Sequence, residues 1–89
     1  MKYFAVITTM LSLELNKQYR EEHLDYLKGL SKEGKVFAKG RFSDGTGGLV
    51  IYKADAIEDV RSMVENDPFI FQGARSYEIH EWEMTLIQQ

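Results

Sequence analysis

The sequence predicts an α+β domain in which four antiparallel strands form one sheet and two helices cover one of its faces. Four segments are rich in β-branched and aromatic residues, and two longer segments carry apolar residues at helical spacing. These segments follow one another as strand, helix, strand, strand, helix, strand. A chain of 89 residues is expected to form a single domain, here residues 1–89.

The first strand is predicted over residues 2–9. Phe4 and Val6 lie on one side of its alternation, and Tyr3, Ala5 and Ile7 lie on the other. A strand with apolar groups on both sides is usually covered on both faces of the sheet.

The first helix is predicted over residues 16–33, where Leu27 and Leu30 have helical spacing. His23 lies four residues before Leu27 and therefore falls within the apolar stripe of the helix. Gly34 is a suitable stop for this helix.

A hairpin and a second helix follow. Residues 36–42 and 48–53 are predicted strands, joined by a glycine-bearing loop at residues 43–47. Asp55 and Glu58 resemble a capping box at the start of the second helix. The helix is expected to end before Pro68, because the residue that precedes a proline is pushed out of the α region.

The last strand is predicted over residues 74–87. Its apolar side changes from odd positions, Tyr77 and Ile79, to even positions, Trp82, Met84 and Leu86. A change of phase predicts a bulge or a second covered face. The complete order of elements matches the ferredoxin-like βαββαβ plan.

This plan leaves one face of the sheet without helices. Because the first, third and fourth strands carry apolar residues on both sides, that face would expose an extended apolar surface. The simplest cover is a second copy packed sheet to sheet, so we expect a homodimer through the open sheet face.

Composition excludes several classes of function. Eleven Lys and Arg against fourteen Asp and Glu give a formal charge of −3, without the basic footprint of a nucleic-acid-binding protein. The absence of cysteine excludes disulfides, thiolate metal sites and cysteine nucleophiles. The lack of cysteine fits a cytoplasmic protein. No apolar run reaches the ~18 residues that span a membrane, so we expect no membrane partner.

His23 and Asp44 are the candidates for acid–base chemistry. An imidazole exchanges a proton near neutral pH, and a carboxylate that accepts from one ring nitrogen increases the basicity of the other. Each residue also has a structural interpretation. His23 can be a core residue bonded to a backbone carbonyl, and Asp44 followed by Gly45 is a common turn signal.

Four further residues are candidates for substrate binding. Arg20 and Arg41 can each hold a substrate carboxylate through two parallel hydrogen bonds, although either can be a solvated surface residue. Asp67 and Phe69 can close a pocket, although Asp67 can also simply cap the turn after the second helix.

His80 and Glu78 share one face of the last strand, with Trp82 beside them. His and Glu at this spacing can ligate a metal, but two ligands without a third are weak support for a metal site. We therefore expect no metal at this position.

The residues named above form a pattern that extends from the first strand to Trp82. Its elements occur in the order Arg20-x-x-His23-Leu24-x-x-Leu27, Gly34, Gly40 with Asp44, Asp67-Pro68-Phe69 and Gly73. This pattern resembles the YciI-like (YCII-related) family, whose members are small ferredoxin-like proteins that pair as dimeric α/β barrels. Many members have Gly-Pro where this chain has Gly40-Arg41, so Arg41 adds a cation beside the family's active-site pair.

The resemblance implies an active-site pair of a His and an Asp, which fall by motif on His23 and Asp44. It implies a small cofactor-independent enzyme that performs general acid–base chemistry of the isomerisation, elimination or lyase type on a small, aromatic-derived organic substrate. The wider group includes muconolactone-isomerase-like enzymes, and some relatives are linked to dehalogenation. The alternative is a non-catalytic ligand-binding or accessory dimer module that uses the same cleft without turnover.

Overall fold

The computed structural model describes residues 1–88 and has the predicted ferredoxin-like arrangement. The sheet is antiparallel throughout, with the strand order β2-β3-β1-β4. A short third helix, which the sequence did not predict, lies before the last strand. The elements are β1 (Lys2–Met10), α1 (Leu13–Lys32), β2 (Val36–Arg41), β3 (Gly47–Ala54), α2 (Ile57–Glu65), α3 (Pro68–Phe71) and β4 (Arg75–Trp82).

The core lies between one face of the sheet and the two longer helices. In the pairing of β1 with β3, Phe4 lies opposite Tyr52 and Val6 lies opposite Val50, so these four side chains share a face. Apolar residues of α1 and α2 pack against that face. The buried cluster comprises Phe4, Val6, Leu27, Leu30, Val50, Tyr52, Ala54, Val60 and Val64.

The start of α1 is fixed to the start of β4. Ser12 is the N-cap of α1, and its hydroxyl accepts a hydrogen bond from the backbone N–H of Leu15 at 3.1 Å. The backbone N–H groups of Leu11 and Ser12 both donate to the carbonyl of Ala74, at 2.9 and 3.1 Å. The first turns of α1 therefore lie beside the residues that open β4.

The last strand is shorter than predicted, because it ends at Trp82 rather than at residue 87. Its pairing with β1 runs without a shift from Arg75 to Trp82, so the predicted bulge is not present there. The apolar phase changes because Trp82 faces the side of the sheet opposite Tyr77 and Ile79, whereas Met84 and Leu86 lie beyond the strand. A register shift occurs instead in β2, between Val36 and Ala38.

Helix α2 begins without the predicted capping box. Its N-cap is Ala56, which offers no side-chain hydrogen bond, so the Asp55–Glu58 pairing does not form. The predicted end before the proline is confirmed, since α2 stops at Glu65. Pro68 then opens α3, where its fixed φ angle suits the first position of a helix.

The second face of the sheet carries the apolar residues of β1 that the alternation predicts. Tyr3, Ala5 and Ile7 point to the side opposite Phe4 and Val6. On this open face the ring of Phe37 packs edge-on against Tyr3, with 5.3 Å between ring centroids. Trp82, which pairs with Tyr3, is 45% exposed. No helix within residues 1–88 is long and apolar enough to cross a membrane.

Candidate active site

His23 is held by Asp67 in the space between α1 and α3. The Nδ1 atom of His23 lies 2.8 and 3.0 Å from the two carboxylate oxygens of Asp67. The side chains are 13% and 5% exposed, so bulk water has little access to this contact. The imidazole also stacks on the ring of Phe69, with centroids 3.9 Å apart and planes inclined by 13°. Two residues of one short segment thus fix the position and the plane of the imidazole.

Asp67 reaches His23 because it is also the N-cap of α3. Its Oδ1 atom accepts a hydrogen bond from the backbone N–H of Phe69 at 2.9 Å, and its own carbonyl accepts from the N–H of Ile70 at 2.8 Å. The capping role considered for Asp67 in the sequence is therefore confirmed. The same carboxylate contacts an imidazole that lies 44 residues earlier in the chain.

The contact with Asp67 selects the reactive nitrogen of His23. A carboxylate can only accept hydrogen bonds, so the proton of a neutral imidazole lies on Nδ1, which donates to Asp67. Nε2 then carries the lone pair, and it has no hydrogen-bond partner among residues 1–88. Because His23 lines a cavity, this nitrogen is available to a bound molecule.

Asp44 does not contact His23 within the chain. Its carboxylate accepts hydrogen bonds from the hydroxyl of Thr46 at 2.7 Å and from the backbone N–H of Thr46 at 3.0 Å. Both bonds lower the pKa of Asp44, and the bond from the Thr46 hydroxyl has the larger effect. Asp44 lies exposed in the hairpin loop. The structure thus shows Asp44 in the turn role. Within one chain, His23 contacts Asp67 and not Asp44, whose carboxylate is bonded to Thr46 of its own loop.

Arg75 is a site residue that the sequence analysis missed. Its guanidinium carbon lies 4.5 Å from the centroid of the Phe69 ring, the ring that also stacks on His23. Burial lowers the pKa of Arg75, while the charge of Asp67 acts in the opposite direction. The alternation in β4 indicates that Arg75 faces the helices, because it shares its side of the strand with Tyr77 and Ile79, which pack against the core.

The cavity beside His23 has a volume of about 460 Å³ and is strongly cationic. Arg20 and Arg41 both line it, as expected of substrate-binding candidates, and Phe69 contributes to its wall. No Asp or Glu of the described residues lines the cavity, although the chain as a whole carries a charge of −3. The five cationic lining residues are Lys17, Arg20, Lys39, Arg41 and Arg75.

Two adjacent glycines at the start of β3, Gly47 and Gly48, line the cavity close to Arg75. A Cβ atom on Gly47 would lie 1.8 Å from the carbonyl oxygen of Thr8, and Gly47 has a φ angle of +155°. A Cβ atom on Gly48 would lie 2.8 Å from the carbonyl oxygen of Gly40 and 3.1 Å from Nη1 of Arg75. Side chains at these two positions would displace the backbone and the guanidinium.

The second histidine lies in a different part of the molecule. His80 Nε2 is 3.0 Å from a carboxylate oxygen of Glu78, and both side chains are more than half exposed. In the register with β1, these residues lie opposite Ala5 and Ile7, so they belong to the open face. Within residues 1–88, no three His, Cys, Asp or Glu side chains converge in a way that could hold a metal ion.

Fold and site together define a class of protein: a small ferredoxin-like domain with a buried His–Asp pair at the wall of a cationic cavity. The YCII-related domain model matches residues 1–83. The chain belongs to this family, as the order of its motifs predicts.

The chain is similar to two known proteins. It is 29% identical over 82 residues to the Bacillus subtilis protein YjpA, which is described as uncharacterised; the match covers 92% of this chain and 96% of YjpA. It is 25% identical to 5-chloro-2-hydroxyhydroquinone dehydrochlorinase (TftG) from Burkholderia phenoliruptrix, solved in complex with 2,5-dihydroxybenzoquinone. The two structures superpose with a TM-score of 0.79, over 93% of this chain and 95% of TftG.

Proposed function

We propose that this chain is a small enzyme in which His23 transfers a proton to or from a small anionic organic substrate. The observation that carries the proposal is the hydrogen bond from Nδ1 of His23 to the buried carboxylate of Asp67. It holds the ring in the tautomer that presents a basic Nε2 to the cavity. Asp67 is therefore a positioning residue, and His23 is the proton-transfer group.

The proposed reaction class is an elimination or isomerisation that requires no cofactor. Nε2 of His23 accepts a proton from the substrate, the electron pair left behind moves into the substrate, and in an elimination a leaving group departs with its bonding pair. The protonated imidazole then returns the proton to solvent or to the product. TftG is a dehydrochlorinase, an enzyme that removes hydrogen chloride, and its likeness to this chain supports this class.

The proposal is tested by chloride release from 5-chloro-2-hydroxyhydroquinone, assayed without oxygen because hydroquinones oxidise in air. We expect His23→Gln to lower kcat/KM by about 100- to 10,000-fold, the usual contribution of a general acid–base group. Asp67→Asn keeps the N-cap of α3 but removes the negative charge beside Nδ1. We expect it to lower kcat/KM by at least about tenfold.

Two further Asp→Asn variants make this test specific. Asp44→Asn examines the pairing that the family motif implies, and Asp25→Asn changes the charge equally at an exposed site on α1. Long-range ¹H–¹⁵N spectra of each variant report which ring nitrogen of His23 carries the proton. A loss of activity in Asp67→Asn alone supports the proposal. Equal losses in Asp44→Asn and Asp67→Asn, or full activity in His23→Gln, contradict it. Absence of turnover in the wild-type chain favours the ligand-binding module.

We also propose that two copies pack through the open face of the sheet. The support is the group of apolar residues on that face, among them Tyr3, Ile7 and Trp82, which lie on the side away from the helices. Burying such residues contributes about 25 cal/mol for each Å² removed from water. An isologous pairing of this face with itself would cover it in one step.

A further inference from the structure

The geometry points to Arg75 as the residue that anchors a planar oxyanion of the substrate, such as a carboxylate or a ring enolate, beside His23. This inference rests on the proposed function for the identity of the ligand as a substrate. The binding step itself can be measured without turnover. Arg75 lies outside the family motif quoted above and would set the preference of this chain for an anionic ligand.

Arg75 is oriented by two neutral partners. Its Nε–H donates to Oδ1 of Asn16 at 2.9 Å, and its Nη1 donates to the hydroxyl of Thr8 at 3.1 Å. The Thr8 hydroxyl in turn donates to the carbonyl of Gly48 at 3.3 Å. A guanidinium has five N–H donors, so the remaining donors, including both on Nη2, have no hydrogen-bond partner among residues 1–88.

The positive charge of Arg75 is not neutralised by an ion pair in the described part of the chain. Its partners Asn16 and Thr8 are neutral, and no carboxylate of residues 1–88 lies within 4.0 Å of its nitrogens. A partly buried charge usually has such a partner, because removing it from water is costly. Together with four more cations and no acids on the cavity wall, this arrangement favours an anion as the missing partner.

Arg75 and His23 lie close enough together for one small molecule to reach both. Both groups contact the ring of Phe69: the His23 centroid lies 3.9 Å, and the Arg75 guanidinium carbon 4.5 Å, from the centroid of that ring. The centroid of the His23 imidazole and the guanidinium carbon of Arg75 are therefore at most 8.4 Å apart. One molecule can present its oxyanion to the planar donors of Arg75 and its reacting atom to Nε2 of His23.

The test is equilibrium binding of two anionic probes, benzoate for a carboxylate and 2,5-dihydroxybenzoquinone for a ring enolate. We expect at least one of them to bind the wild-type chain saturably, and to bind it at least tenfold more tightly than neutral benzamide. Arg75→Met should weaken the binding of that probe by about tenfold or more, because hydrogen bonds to charged groups contribute more to affinity than those between neutral groups. Arg75→Lys, which keeps the charge but loses the planar donors, should also weaken it.

Arg61→Met is the matched control. Arg61 is an exposed residue of α2 outside the cavity, and its removal changes the net charge by the same amount. Because Arg75→Met also removes contacts to Thr8 and Asn16, thermal unfolding of each variant is measured alongside binding. A second measurement needs no substitution: the Nε–H resonance of Arg75 in the wild-type chain should shift on titration with the bound probe.

The outcomes separate this inference from the proposed function. Binding that survives His23→Gln and is lost in Arg75→Met supports an anchor distinct from the proton-transfer group. Equal weakening in Arg61→Met and Arg75→Met, an unmoved Arg75 resonance, or saturable binding of neither probe overturns the anchor. If chloride release still depends on His23 in that case, the proposed function stands without the anchor. If Arg75 binds the probe but His23→Gln remains active, the anchor stands and the proposed proton transfer by His23 is overturned.

Discussion

At the scale of single residues, Asp67 affects groups beyond His23. Its charge adds to the effect of burial in raising the pKa of Tyr52 and of Tyr26, and the hydroxyl of Tyr26 donates to the carbonyl of Met63 at 2.7 Å. For Tyr52, which is almost fully buried on β3, burial is the larger cause. A group whose pKa is raised by folding makes stability depend on pH.

We expect the free energy of unfolding to fall when the pH is raised above about 10, the ordinary pKa of tyrosine. Below that pH, Tyr52 is protonated in both states and its contribution is fully present. Above it, the unfolded chain loses the proton while folded Tyr52 keeps it, at about 1.4 kcal/mol per pH unit at most. Urea unfolding between pH 8 and pH 11 measures this slope.

Tyr52→Phe should flatten the slope but not remove it, because the pKa values of Tyr26 and Tyr77 are raised as well. Tyr19→Phe, which removes a hydroxyl from a partly exposed position on α1, is the matched variant against which the slope of Tyr52→Phe is compared. An unchanged slope in Tyr52→Phe would show that the folded protein releases this proton as easily as the unfolded chain does.

At the scale of elements, the start of α1 positions two parts of the site. Ser12 caps the helix and is tied to Ala74, so Asn16 lies beside Arg75 and His23 lies two turns further along. The cap side chain was not part of the predicted helix, which started at residue 16. The hydrogen-bonding residue that fixes the helix thus lies upstream of its apolar stripe.

Ser12→Ala should lower the free energy of unfolding by about 1 kcal/mol, the usual effect of losing an N-cap side chain. Ser31→Ala makes the same change near the other end of the helix. There the hydroxyl donates to the carbonyl of Leu27 at 2.9 Å, a bond within the helix that adds little, so the control should stay within about 0.5 kcal/mol of wild type. Chemical denaturation of both variants decides the comparison, and equal losses would exclude a capping role.

At the scale of the whole molecule, the two faces of the sheet differ in what covers them. The face that carries Phe4 and Val6 is closed by α1 and α2, whereas Phe37 and Trp82 on the other face are 43% and 45% exposed. The proposed homodimer would cover them. It would leave the cavity beside His23 on the helix side of the sheet, where Thr8 and Arg75 also lie.

We expect the wild-type chain to sediment as a dimer and Ile7→Glu to sediment as a monomer, because a charge in the centre of the open face cannot be buried without a partner. Ile7 pairs with Leu49 on one side and Glu78 on the other, so it lies on the central strand. Gln18→Glu adds the same charge on an exposed position of α1 and should leave the dimer intact. A well-folded wild-type monomer would refute the pairing.

The order of the strands and of the two longer helices follows from the sequence, as do the family and the choice of His23 as a candidate. Periodicity, the proline after α2 and the glycines of the hairpin each act over a few residues. Sequence patterns of that length therefore predict the helices, the end of α2 and the hairpin correctly. The predicted end of β4 was wrong because apolar residues continue beyond Trp82. The predicted cap of α2 was wrong because an acidic pair near the start of a helix need not bond to its backbone.

The groups that meet at the site are set by the packing of the folded chain. Asp44 and Asp67 both follow a predicted element and precede a Gly or a Pro, so local spacing favours neither as the partner of His23, and only the family motif pointed to Asp44. The contact between His23 and Asp67 joins residues 44 positions apart, and the contact between Asn16 and Arg75 joins residues 59 positions apart. Such distances are set by how α1, α3 and β4 pack against the sheet, and local spacing does not encode that packing.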